Sequence, residues 1–548
     1  MNNKILIAAL LFLGIISTNV KSQTKYWVKF KNKNGTPYTV SNPSAFLTAK
    51  SIQRRTTYSI TVNQSDLPVT PSYISQVEAV PNVTVLYASK WINGVVVAVT
   101  NTAALSTINS FSFVASSAPV NRLKLSIPKI EEPGIELNKA MAAPASTINF
   151  GGSYWQSNQL GVDCIHSQGY RGQGMTIAVL DAGFLNVNTN PVFDSLKNRG
   201  GILGTRDFVS GNTNVYDDDS HGASVLSCMA AIKPGVIMGT APRADYWLLR
   251  TEDNASPNPL NETPSEEYNW IRGAEFADSV GVDIITTSLG YSLFDNSSYN
   301  HSYSQLNGKT LNMSIAATMA ARKGIFVLNS AGNEGANMWM YITVPADADS
   351  ICTVGAIDSL SNVASFSSVG PTSDGRIKPD LVARGAGSYV SYSNGVCGQS
   401  NGTSFSCPIL AGAVACYWQK HISWNNMKVL DTLKKTASNA GSPNNQRGWG
   451  TPNMCGVIAG VKESASQPFN MSVAPNPFNS QIQLNFSNYT SFNTRLEIYD
   501  NLGKLVMAQN LENNRLHFET NLSTIPNGIY FLKISSDQGS VVKKIIKH

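Results

Sequence analysis

Through the middle of the chain, short runs of apolar and β-branched residues alternate with longer stretches of helical periodicity. Met175-Thr-Ile-Ala-Val-Leu180 has the length and branching of a buried strand, and Ala244–Leu249, Asp283–Thr287 and Gly324–Leu328 share that character. Between them, Glu266–Val280 and Met313–Lys323 carry helical spacing. Strands that are apolar on both faces and separated by helices predict an α/β domain over residues 144–462, with a parallel sheet and helices on both faces. The ligand site of such a sheet lies beyond the carboxyl ends of its strands.

Segments of different character flank this region. Residues 23–143 mix strand-like runs (Tyr26–Phe30, Val95–Val99) with helix-like stretches, as in a small α+β domain. From 126 to 147 the chain loosens into Pro, Glu, Ala and Ser, including Glu131-Glu-Pro-Gly134, and reads as a linker. Over residues 466–548, Gln481–Phe486 and Arg495–Tyr499 alternate with period two. Asp500-Asn-Leu-Gly503 and Asp537-Gln-Gly539 are hairpin turn signals, so this part predicts a small antiparallel β-sandwich.

At the start, Lys4 precedes the apolar run Ile5–Ile16 and the polar stretch Ser17–Ser22. That run is too short to span a bilayer and suits a secretory signal over residues 1–22. No Cys follows it to carry a lipid, and no later segment is apolar enough to cross a membrane, so an exported, soluble protein is expected. Hydrophobic residues make up 42% of the 548, enough for large cores. The net charge of +6 is spread thinly, without the concentrated basic stripe that nucleic-acid binding requires. Seven cysteines form no CxxC pair, which argues against structural zinc, and an odd number leaves at least one thiol unpaired. Their pairing cannot be deduced from spacing.

Four motifs carry the candidate chemistry. Val179-Leu-Asp181-Ala-Gly183 puts an acid at the carboxyl end of a buried strand, and His221-Gly-Ala-Ser224 opens a predicted helix with an imidazole. Asn401-Gly-Thr-Ser404-Phe-Ser-Cys-Pro408 sets a serine just before a helical run, and Asn329-Ser-Ala-Gly-Asn333-Glu-Gly335 follows a strand. A serine hydroxyl needs a neighbouring base to become a nucleophile, and imidazole has a suitable pKa. A buried carboxylate fixes the imidazole tautomer and stabilises its charged form. A helix start and an Asn amide supply donors for a developing oxyanion.

Together these motifs resemble the subtilisin-like serine proteases (subtilases) in identity and in order, over roughly residues 150–460. Arg376-Ile-Lys-Pro-Asp380 and Ser288-Leu-Gly290 resemble further family stretches. The resemblance implies a secreted serine endopeptidase with Asp181, His221 and Ser404 as catalytic residues, Asn333 as oxyanion donor and Ser288, Leu289 and Gly290 along the substrate groove. It implies an acyl-enzyme route on protein or peptide substrates, no required cofactor, and a monomer. Calcium is frequent among members, and the acidic run Tyr216-Asp-Asp-Asp219 offers oxygen ligands. A solvated loop is the simpler reading there, and no metal ligand is assigned. Ala182, Leu289, Arg384 and Cys407 depart from the family's usual residues without removing a catalytic group. The first domain has the size and position of a subtilase propeptide. The last, with Val473-Ala-Pro-Asn-Pro-Phe478 and Asn527-Gly-Ile-Tyr-Phe531, resembles the type IX secretion sorting domain of Bacteroidetes proteins. That implies Sec export to the periplasm, then passage across the outer membrane to the medium or the cell surface.

Two other classes compete. A non-catalytic adhesin on a protease-like fold predicts decay at a triad position, and none is seen. An esterase predicts a Gly-x-Ser-x-Gly elbow and the order Ser, Asp, His, neither of which occurs here. His166, His301 and His421 lie in no motif and are expected to be structural.

Overall fold

The structure, a computed structural model, describes residues 24–121, 148–254, 263–294, 296–455, 470–487, 494–500, 504–511, 517–536 and 539–548. The expected signal at 1–22, the whole linker at 126–147 and the tips of the turns at 501–503 and 537–538 lie outside the described residues. Residues up to 457 and those from 458 onward form two separate units.

The first domain has strands β1 (Thr24–Phe30), β2 (Val83–Ser89), β3 (Gly94–Val99) and β4 (Val114–Asn121). They pair antiparallel in the order β2-β3-β1-β4. Helices α1 (Ala49–Thr57), α2 (Pro71–Glu78) and α3 (Ala104–Ser110) complete it. Val28, Val95, Val97 and Ile108 fill the core on one side of this sheet. From the other side Trp27, Trp91, Ile92 and Val96 join a core shared with the second domain.

In the second domain β5 (Thr176–Asp181), β6 (Ile202–Asp207), β7 (Asp245–Arg250), β8 (Ile284–Thr287), β9 (Phe326–Ser330), β10 (Cys352–Ile357) and β11 (Leu381–Arg384) form one sheet. Its order is β11-β10-β9-β8-β5-β7-β6, and every neighbouring pair is parallel. The strands have apolar residues on both faces because both faces are covered. Ile177 and Val179 of β5 enter one core with helices α4 (His221–Ala230), α7 (Thr403–Lys420) and α8 (Asn426–Thr436). Ala178 and Leu180 enter the other, with α5 (Pro264–Val280) and α6 (Asn312–Arg322).

The first domain grips the second in two places. Glu275 of α5 accepts hydrogen bonds from the Ser89 hydroxyl (2.5 Å) and from the backbone N–H groups of Trp91 (3.0 Å) and Lys90 (3.1 Å). Farther off, α1 lies across the amino ends of the sheet. Arg54 donates to the carbonyls of Lys323 (3.1 Å) and Val282 and to Asp278 (2.5 Å), and Arg55 bridges Asp278 (2.9 Å) and Asp66 (2.7 Å). Lys323 also meets Asp66, at 2.7 Å. Burial disfavours the charged form of Asp278, but Arg54, Lys90 and Arg55 together hold its carboxyl below the usual range.

The second unit consists of β12 (Asn470–Ala474), β13 (Gln481–Ser487), β14 (Arg495–Asp500), β15 (Leu505–Asn510), β16 (His517–Asn521), β17 (Gly528–Ser536) and β18 (Gly539–Lys547). Two antiparallel sheets, β12-β13-β16 and β15-β14-β17-β18, enclose one core of Ile482, Leu484, Phe518, Leu496, Leu532 and Ile545. The period-two alternation is explained by this arrangement, since alternate residues of each strand face that core.

Cys164 and Cys455 form a disulfide across 291 residues, tying the start of the second domain to its end. Cys228, Cys352, Cys407 and Cys416 are buried thiols. Closing so long a loop restricts the unfolded chain strongly. Cys455→Ser is therefore expected to lower unfolding stability by about 2–4 kcal/mol, as read from denaturant midpoints.

Candidate active site

Three adjacent parallel strands, β9, β8 and β5, and two helix starts deliver the candidate residues to one rim. Asp181 is the last residue of β5, Ser288 follows β8, and Asn333 stands three residues beyond β9. His221 and Ser404 come from the first turns of α4 and α7, which pack on the same face of the sheet. All four motif residues are thus brought to the carboxyl end of the sheet.

Asp181 is fully buried, and its Oδ1 lies 2.7 Å from His221 Nδ1. The Ala182 backbone N–H donates to the same oxygen at 2.9 Å. The approach depends on Gly222, where an added Cβ would stand 2.3 Å from the Gly183 carbonyl oxygen and 3.0 Å from Asp181 Cβ. Any larger residue would push α4 away from the acid. Asp219 accepts from the His221 backbone N–H at 2.6 Å and so caps the helix start. Burial alone would lower the pKa of His221. The Asp181 carboxylate, by charge and by hydrogen bond, outweighs that and lifts it to about 9, with Asp219 and Glu252 adding to the effect.

Ser404 is partly exposed, and its hydroxyl donates to the Ser288 carbonyl at 3.4 Å rather than to the imidazole. The Ser288 hydroxyl in turn donates to the Ser404 carbonyl at 2.8 Å. Asn333 is exposed, and its Oδ1 accepts from both the backbone N–H and the hydroxyl of Thr403, each at 2.9 Å. Those two bonds fix the orientation of the amide, with Nδ2 turned towards Gly402. A Cβ built on Gly402 would stand 3.6 Å from the Ser404 N and 3.7 Å from Asn333 Nδ2, so both donors border the same small space.

Of the expected groove residues, Ser288 touches Ser404 directly and Gly290 exposes its backbone. A Cβ on Gly290 would stand 2.0 Å from the Thr343 hydroxyl, so no side chain fits there. The Leu289 side chain is buried, and its carbonyl accepts from Asn329 at 3.2 Å. The other three histidines of the second domain are occupied elsewhere. His166 bonds the Thr240 carbonyl at 3.0 Å, His301 meets Glu267 at 2.7 Å, and His421 stacks on Trp424.

Two neighbours of the pair were not singled out from the sequence. Glu252 receives a hydrogen bond from the Tyr291 hydroxyl at 3.3 Å. Burial, and then the negative charge of Asp181, raise its carboxyl to about 7. Arg250, only 2% exposed, is enclosed by acids that include Asp218 of the acidic run. The polar run Arg250-Thr-Glu-Asp253, at the carboxyl end of a strand beside β5, was the available signal for both. Among the described residues, no three His, Cys, Asp or Glu side chains are grouped to hold a metal ion.

The Subtilase family profile matches residues 172–450, just over half of the chain. The chain belongs to the subtilase family. Residues 25–133 match the peptidase S8 propeptide domain of Bacteroidota, and residues 472–548 match the secretion system C-terminal sorting domain. Among relatives, Subtilisin NAT of Bacillus subtilis subsp. natto is 30% identical over 343 residues, covering 61% of this chain and 77% of its own. The subtilisin of Bacillus pumilus is 32% identical over 291 residues, covering 52% and 91%. Subtilisin Savinase of Lederbergia lenta is 30% identical over 292 residues, covering 53% and 93%. The protein is therefore a peptidase of this family, made with a propeptide and with a sorting domain that directs it to a secreted or cell-surface location. No helix among the described residues is long and apolar enough to cross a membrane.

An NMR pH titration of the His221 ring is expected to give a midpoint near 9. In Asp181→Asn the midpoint should drop, because burial still disfavours the imidazolium while its main partner charge is gone.

Proposed function

We propose that this subtilase is a secreted serine endopeptidase that works through an Asp181–His221–Ser404 triad and an acyl-enzyme. The observation that carries the reading is the 2.7 Å Asp181–His221 bond, with Ser404 at the adjoining helix start and two N–H donors bordering one space beside it. When the His221 ring is in its neutral form, the Ser404 hydroxyl turns from the Ser288 carbonyl to His221 Nε2, passes its proton to the ring and attacks the peptide carbonyl. The resulting imidazolium is what Asp181 stabilises. The Ser404 backbone N–H and Asn333 Nδ2 hold the oxyanion. His221 then protonates the leaving amine. Water, deprotonated by the same ring, releases the acid product and restores the hydroxyl. No step needs a cofactor.

The substrates are proteins or peptides, and no metal is assigned a part. The propeptide covers α5 until the chain is cut between it and the catalytic domain, and the linker at 126–147 is the proposed place. The sorting domain engages the type IX secretion machinery after Sec export.

Ser404→Ala should abolish casein cleavage and leave the propeptide attached on a denaturing gel. Wild-type cleavage by the purified variant would refute the nucleophile. Asn333→Ala should lower kcat by about 100- to 1000-fold with little change in KM. Removing residues 466–548 should trap active protein in the periplasm; its normal appearance in the culture medium would contradict the sorting role.

A further inference from the structure

Arg250 ends β7 directly beside the end of β5, in register with Asp181. Its guanidinium is turned inward and gathers oxygens from four segments. Nε donates to the Ala182 carbonyl at 3.0 Å, immediately after Asp181. Nη1 reaches Asp207 at 3.0 Å, Asp218 at 2.9 Å and the Ser210 hydroxyl at 3.4 Å, and Nη2 reaches Asp253 at 3.1 Å. Asp207 is 1% exposed and Asp218 19%, so these charges are largely out of water. Lysine could not replace this fork, because one ammonium cannot serve carbonyl and carboxylates in so many directions.

The connections lead to both members of the pair. On one side, Ala182 follows Asp181, whose carbonyl accepts from the Thr251 backbone N–H at 2.9 Å. On the other, Asp218 precedes Asp219, which caps His221 and also accepts from Asn254 at 3.2 Å. The two loops interlock as well: Phe184 donates to the Val215 carbonyl at 2.8 Å and Leu185 to that of Asp219 at 3.0 Å. The guanidinium faces three carboxylates, two of them largely buried and Asp253 47% exposed, so its charge offsets the repulsion among them.

We propose that Arg250 is a positioning residue for the catalytic pair. Its guanidinium serves as a built-in structural cation that joins the segment behind Asp181 to the loop in front of His221. The inference rests on the triad reading. Misplacing a catalytic group by about 1 Å can cost about 100-fold in rate, while the groove that binds substrate is untouched.

The test uses Arg250→Ala and Arg250→Lys in the full chain. Peptide hydrolysis by the processed enzymes is normalised to active sites titrated with a fluorophosphonate. Arg250→Ala should lower kcat by about 10- to 100-fold with KM within about twofold of wild type. Millimolar calcium should restore part of that loss, because the carboxylates and the Ala182 carbonyl left behind are hard oxygen ligands, and should leave the wild type unchanged. Wild-type kcat in Arg250→Ala, or a fall in kcat matched by a rise in KM and untouched by calcium, overturns the proposal. Where Arg250→Ala does not accumulate, Arg250→Lys decides: reduced kcat at unchanged KM supports the proposal, and unchanged kcat refutes it. A wild-type enzyme that no fluorophosphonate labels would instead refute the triad reading itself.

Discussion

A carboxylate removed from water must find a charge or a donor, and Asp181 has been removed from water completely. The Ala182 N–H and the His221 ring share one of its oxygens. Much of the local design serves that contact. Gly222 lets the helix come close, Asp219 fixes the first turn, and Arg250 anchors the segment just behind the acid. The high affinity of the ring for a proton follows from the same contact, so structure and reactivity share one cause here.

Local pattern carried the main architecture. The apolar runs of β5, β7, β8 and β9 are short enough to be strands and apolar enough to be covered on both faces, which already requires a parallel sheet with helices on either side. In that sheet, an acid at a strand end and two residues at helix starts have few places to go except one rim. Asn333 was legible for the same reason, since it follows β9 closely.

Long-range pairings were not legible. Nothing near Cys164 or Cys455 in the sequence selects one as the partner of the other, because their meeting depends on how the whole domain closes. Arg250 lies in a run that looks like an ordinary polar strand end. Only the fold reveals that acids from residues 207, 218 and 253 converge on it. The acidic run at 217–219 shows the same limitation: Asp217 is exposed, while Asp218 faces a guanidinium and Asp219 an asparagine amide and a helix N–H.

The anchor formed by Arg54 and Arg55 lies at the strand ends opposite the catalytic rim, and breaking one member of a buried ion pair costs about 3–5 kcal/mol. Hydrolysis anywhere between residues 122 and 147 severs a covalent link yet disturbs none of these contacts, nor those of Glu275. Scission and dissociation are therefore separate events with separate barriers, and the second is governed by contacts that include a patch at the far ends of the strands.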